Sequence, residues 1–111
     1  AFDTRRDESQ EVVDEALAPF PHLAGGDLNA YFYGGWLAGE PVTPLSVQPF
    51  LDAGWVDAHS ALDPAARATI EGDQVIDLLW LDGPQAEEAG VCGACGGLSD
   101  HLPIWATLRL P

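Results

Sequence analysis

The chain has 111 residues, with 18 acidic side chains against 4 arginines and no lysine, a net charge of −14, and 47% hydrophobic residues. That length admits one domain, and the apolar content is that of a folded chain, not of an acidic disordered tail. The arginines, Arg5, Arg6, Arg67 and Arg109, are too few and too scattered to build the basic face that holds duplex nucleic acid by counterion release, or a basic helix laid on a membrane.

In chain order, Asp7 to Phe20 reads as a helix capped by Asp7, with Glu8, Glu11 and Asp14 favouring its N-terminal half. Val12, Val13, Ala16, Leu17 and Phe20 give it one apolar face, and Pro19 and Pro21 end it. His22 to Asn29 reads as a short buried strand running into a loop, where Gly25 and Gly26 let the backbone bend or approach something closely. Residues 31–45 have loop composition with large apolar surfaces, and Tyr31, Phe32, Tyr33 and Trp36 suit either loop packing or the wall of a substrate cleft.

Ser46 can cap a second helix through Pro49, Phe50, Leu51 and Ala53, stopped by Gly54, with Trp55 to Ala58 as a short extension. Residues 59–72 read as a loop. Val75 to Leu81 is the strongest strand, an apolar run broken by Asp77 and ended by Gly83 and Pro84, which suits burial on both faces. Residues 89–97 are glycine-rich and hold Cys92 and Cys95. A zinc site would want a second ligand pair, and a redox motif would want a helix after the first cysteine, which leaves incidental thiols as the plain reading and a local disulfide open. Leu102 to Leu110 is the last strand, with Ile104, Ala106 and Leu108 alternating against Trp105, Thr107 and Arg109. The whole reads as a layered α/β domain with too few strands to close both faces of a sheet.

No apolar run reaches the ~18 residues of a membrane-spanning helix, and the charged start lacks the apolar stretch of a secretory leader. The acidity reads as a solvated surface, from which a few carboxylates could be drawn into a cation site.

Polar islands stand out at Gly26-Asp27-Leu28-Asn29, at Asp77 and at Ser99-Asp100-His101-Leu102-Pro103. A carboxylate inside an apolar strand needs a partner, and His101 is one that fits Asp77; an arginine would be the structural alternative. A carboxylate that accepts from one imidazole nitrogen fixes the tautomer and leaves the other nitrogen for work. Asp27 and Asp100 offer oxygens to a hard divalent cation, and Asn29 offers an amide to a phosphoryl oxygen or a water. These are the parts of a metal-assisted phosphoester hydrolysis. His22 and His59 have no comparable context and read as surface or satisfied histidines.

In order and spacing, Gly26-Asp27-Leu28-Asn29, Val75-Ile76-Asp77 and Ser99-Asp100-His101-Leu102-Pro103 resemble the C-terminal motifs of the endonuclease/exonuclease/phosphatase superfamily. DNase I-like nucleases, exonuclease III-like repair enzymes, inositol polyphosphate phosphatases and neutral sphingomyelinases share that fold. Phe50 to Ala58 resembles the helix between the first two motifs, and the helix bearing Arg5 and Arg6 the one before the Gly-Asp-x-Asn strand, so the likeness covers nearly the whole chain.

The resemblance implies that residues 1–111 are a single partial domain, the C-terminal half of a DNase I-like four-layer α/β sandwich, a mixed sheet flanked by helices. It implies a phosphoesterase dependent on Mg2+ or Mn2+. Asp27 would orient or deprotonate the attacking water and touch metal, Asn29 would bind the scissile phosphate, and Asp77 would orient His101. His101 would stabilise charge on a phosphate oxygen, and Asp100 would contribute to the metal site. The family's first half carries an early Asn, a metal-binding Glu and a central His or Tyr, and its Thr-His motif would fall just before Ala1. The implied partners are that missing half and a phosphoester substrate, which could be a nucleic acid, a phospholipid head group or a small phosphate ester. The alternative is a non-catalytic acidic α/β fragment or binding module that keeps the scaffold without activity.

Overall fold

A computed structural model describes residues 2–16, 21–27, 46–62, 66–69, 75, 77–97 and 99–111. Its elements are α1 (Phe2–Glu15), β1 (His22–Asp27), α2 (Gln48–Asp52), β2 (Val56–Asp57), β3 (Asp77–Asp82), β4 (Gln85–Val91), a 3-10 turn (Gly93–Cys95) and β5 (Ile104–Arg109). The apolar run of β3 takes the centre of a three-stranded antiparallel sheet in the order β1-β3-β2. Register sets Ala24 and Asp57 on either side of Trp80, and Leu23 and Val56 on either side of Leu81.

Because side chains alternate along a strand, Leu78 and Trp80 share one face. That face packs on Val47, Phe50, Trp55 and Val75, with Val13, Ala16 and Ala24 at the margin. Trp80 is fully buried and stacks on Phe50 at a ring separation of 5.2 Å, and Trp55 meets Phe50 edge-on at 5.4 Å. On the opposite face Leu81 is buried, whereas its neighbours Leu23 and Val56 are 58% and 55% exposed. Burial of β3 on both faces, as its sequence indicates, thus holds at Leu81. The strand β1 is less buried than read, because it lies at the edge of the sheet among the described strands and Gly25 and Gly26 give it no side chains to pack.

Both helices start elsewhere than their sequences indicate. Nothing before Pro19 breaks a helix, so α1 begins at Phe2 and Asp7 lies inside it, not at its cap; residues 17–20 fall outside the described residues. In α2, Pro49 fits only the first turn, so the cap falls on Val47, with no side-chain cap bond, and Ser46 is buried in the turn before it. The end of α2 is as read: Gly54 takes φ +81°, its N–H reaches Leu51 O, and the Trp55 N–H reaches Phe50 O.

The second sheet is the antiparallel pair β4-β5, with an irregularity between Ala86 and Glu88. The strand β4 was not legible, because Gln85-Ala86-Glu87-Glu88-Ala89-Gly90-Val91 has neither alternation nor β-branched residues before its end. Its pairing partner specifies it. Gly90 lies opposite Trp105, whose ring would sit 2.8 Å from any added Cβ. Between the strands Cys92 and Cys95 are joined as a disulfide around the 3-10 turn, which corrects the reading of incidental thiols. The stretch 59–72, read as a loop, buries His59, Arg67 and Thr69 among its described residues.

The Phe50–Trp80 stack carries the helix-facing core. Trp80→Ala should cost about 3–5 kcal/mol, whereas Val12→Ala on the exposed side of α1 should change stability by no more than about 0.5 kcal/mol. Urea unfolding of the two variants checks this, and equal midpoints would place the core elsewhere.

Candidate functional site

The end of β1 and the start of β3 place Asp27 directly opposite Asp77. Side chains of directly opposed residues share a face, and two carboxylates so placed repel each other. His101 arrives from the connection between β4 and β5. Its Nδ1 lies 2.7 Å from Asp77 Oδ2, and its Nε2 is 3.9 Å from Asp27 Oδ2, beyond hydrogen-bond reach. Asp77 is 16% exposed, His101 30% and Asp27 41%, so the imidazole separates an inner carboxylate from one that faces solvent.

Local chemistry holds this loop in place. The His101 N–H donates to Ser99 Oγ at 3.1 Å, a side-chain turn that serines favour. The Cys92 N–H donates to Pro103 O at 2.9 Å and closes the loop at its base. Thr69 then joins the two sheets: its carbonyl accepts from the Leu102 N–H at 2.8 Å, and its Oγ1 accepts from the Asp77 N–H at 3.3 Å. One buried residue therefore holds the backbone of Asp77 and of Leu102, the residue that follows His101.

The hydrogen bond that His101 donates to Asp77 raises the imidazole pKa above the ordinary 6.5; partial burial opposes the rise, and the charges of Asp77, Asp100 and Asp27 add to it. Protonation puts a cation between two carboxylates and leaves Nε2–H directed away from Asp77, which suits it to donate to an anion.

Asp27, Asp77 and His101 each offer a ligand atom, all within 4.8 Å of one another. A hard divalent ion that keeps its waters takes one or two carboxylates, and the exposed Asp27 carboxylate fits that demand. Asp77 is engaged with His101 through Oδ2. Asp100 is exposed beside His101, with its Oδ1 3.5 Å from Ser99 Oγ, and is not part of the three-residue group. Asn29, Tyr31, Phe32, Tyr33 and Trp36 lie outside the described residues.

Sequence reasoning passed over the polar cluster behind the site. Arg67 donates from Nε to Leu62 O at 2.9 Å and from Nη2 to Ser60 O at 2.5 Å, with Nη1 3.6 Å from Asp57 Oδ2. His59 donates its N–H to Asp57 Oδ1 at 2.9 Å, and its Nε2 lies 3.0 Å from Gly90 O. Nothing local in Ala65-Ala66-Arg67-Ala68 marks this arginine for burial, since its partners Asp57, Ser60 and Leu62 lie five to ten residues earlier. His22, as read, is satisfied, with Nδ1 3.0 Å from Asp82 Oδ2.

No protein-family model matches the chain, and no curated protein matches it. Among solved structures it is similar to the crystal structure of an endonuclease/exonuclease/phosphatase from Beutenbergia cavernae, with a TM-score of 0.77 and 21% identity. The match covers 98% of this chain and 31% of that one. The chain therefore has part of the fold of an endonuclease/exonuclease/phosphatase protein, a mixed α/β arrangement that spans about a third of the solved relative.

The His101 geometry makes a pH prediction. Because its folded-state pKa is raised, the stability contributed by the Asp77 bond is whole below pH 6.5 and is lost as pH climbs through the raised value. An NMR titration of the His101 ring in EDTA should give a midpoint above 6.5, and Asp77→Asn should bring it down towards 6.5. A wild-type midpoint at or below 6.5 would show that the bond is not made in solution.

Proposed function

We propose that this chain is the part of a divalent-metal-dependent phosphoester hydrolase that carries the Asp77–His101 pair and the carboxylate that handles water. The observation that carries the reading is the 2.7 Å bond from His101 Nδ1 to Asp77 Oδ2, made between two sheets and facing Asp27. The likeness to a solved endonuclease/exonuclease/phosphatase supports it.

In this reading Asp27 orients the attacking water and draws off its proton as the new P–O bond forms. Asn29 binds the scissile phosphate. His101 donates from Nε2 to a non-bridging phosphate oxygen and stabilises the charge that develops there while the ester P–O bond breaks. Asp77 keeps the imidazole in the form and orientation this needs, a positioning role. Asp27 and Asp100 would hold Mg2+ or Mn2+, which supplies Lewis-acid stabilisation of phosphate charge when bound. The substrate class is a phosphate ester, and the scarcity of cations in this chain weighs against a duplex nucleic acid.

The partner in this proposal is the remainder of the domain, packed on the sheet face that carries Leu23 and Val56. Each large side chain left in water there forfeits on the order of 1.5–3 kcal/mol, against a total stability of about 5–15 kcal/mol. Residues 1–111 expressed alone should therefore be inactive and self-associate on size exclusion despite the net charge of −14. A monodisperse, active monomer would overturn the partial-domain reading.

The direct test uses the full-length protein with bis(p-nitrophenyl) phosphate and p-nitrophenyl phosphate. Turnover should require magnesium or manganese, should not be restored by zinc, and should vanish in EDTA. Asp77→Asn should lower kcat by about a hundredfold with the fold retained, and should couple to His101→Ala in a double-mutant cycle. Activity that survives exhaustive chelation, or strictly additive variants, would defeat the proposal in favour of a scaffold without this chemistry.

A further inference from the structure

We infer that His59 is a positioning residue that fixes the separation of Asp77 and His101 by anchoring the β4-β5 hairpin to the β1-β3-β2 sheet. The inference deepens the phosphoesterase reading and rests on it for its consequence in turnover.

The pair lies between two sheets that share no strand ladder among the described residues. The short Gly83-Pro84 connection joins them at the end of β3 remote from Asp77, where it leaves the hairpin free to rock about the side-chain bond, so other tethers set the distance. Thr69 provides one, on the site side. His59 provides another: its Nε2–H reaches the Gly90 carbonyl of β4 at 3.0 Å.

The imidazole is well placed to act as a spacer. His59 is 4% exposed, and its own N–H is bonded to Asp57 Oδ1 at 2.9 Å. Asp57 is set in turn by its register opposite Trp80, and Arg67 closes on its other oxygen at 3.6 Å. The Ala58 N–H donates to Leu79 O at 2.8 Å, which pins the preceding residue to β3 itself. The route on the other side is as short. Gly90 is held opposite Trp105, and two residues later Cys92 bonds Pro103, two residues beyond His101.

A shift of the hairpin would move His101 against a carboxylate anchored in β3. The imidazole has a 2.7 Å bond on one side and a 3.9 Å gap on the other, so a displacement of that scale breaks the first or closes the second. A misplacement of ~1 Å can cost up to about a hundredfold in rate.

The test uses the full-length protein. His59→Gln keeps an N–H donor near the position of Nε2, and His59→Leu keeps apolar bulk without one. With bis(p-nitrophenyl) phosphate and magnesium, His59→Leu should lose at least about tenfold in kcat with KM little changed, and His59→Gln should recover most of it. In 1H–15N spectra of the imidazoles, His101 in His59→Leu should shift towards its signals in Asp77→Asn, whereas in His59→Gln it should stay near the wild type. His101 signals unchanged in a folded His59→Leu, or equal losses in both variants, would overturn the inference. Should His59→Leu not fold, the wild type decides: a slowly exchanging proton on His59 Nε2 supports the tether, and exchange at the rate of an open imidazole overturns it. A wild type that hydrolyses neither ester would defeat the functional reading, while the ring spectra would still decide the role of His59.

Discussion

A carboxylate at the head of an otherwise apolar strand has to be compensated where it stands, and at Asp77 the compensation is His101. Leu78 and Trp80 give the sheet its core-facing side chains, so β3 cannot retreat to let Asp77 find water; its carboxylate is largely covered. The partner must then be brought from outside the sheet. The loop before β5 brings it, which is why the second sheet has to sit at a fixed place against the first. The same bond sets the chemistry, because an imidazole held through Nδ1 presents Nε2 to whatever lies on the Asp27 side.

Residues 57–62 and 66–69 meet the cost of fixing two sheets that share no ladder among the described residues. Packing alone slides easily, whereas hydrogen bonds to backbone carbonyls and amides set a register. The Asp57–Arg67 pair is buried, and charges taken from water return little net stability. Its use here is geometric: the guanidinium ties the Ser60 and Leu62 carbonyls, and Asp57 orients His59. From this polar knot one contact runs to β4 through His59 and another to the His101 loop through Thr69.

This division explains what the sequence disclosed. The strands β3 and β5 were legible because an unbroken apolar run and a clean alternation are local signals, and Asp27, Asp77 and His101 were legible because each interrupts such a pattern at a strand end. The α2 terminus at Gly54 was legible from turn chemistry. The strand β4 was not, since two adjacent glutamates and a glycine acquire strand geometry from β5 and from the Trp105 ring. Asp7 and Ser46 misled because a good capping residue marks a possible start, while Pro49 and the lack of any breaker before Asp7 decide the actual one. His59, Arg67 and Thr69 carry no periodic signal at all; their partners lie across turns and, for His59, in another sheet. The Cys92–Cys95 pairing follows from backbone placement that spacing alone does not fix.

The net charge of −14 bears on the site in a way that composition alone does not reveal. At physiological salt, exposed charges beyond about 8 Å are largely screened, so any anion near the site would feel mainly the groups it touches. Of the arginine side chains that the structure describes, Arg6 lies 3.7 Å from Asp7 on α1, Arg67 belongs to the buried knot, and Arg109 bonds Gln85 on the hairpin. Beside Asp27 the described residues place the His101 imidazole, whose protonation the surrounding carboxylates favour. Acidity that repels an anion at long range thus favours, at short range, a cationic donor at His101.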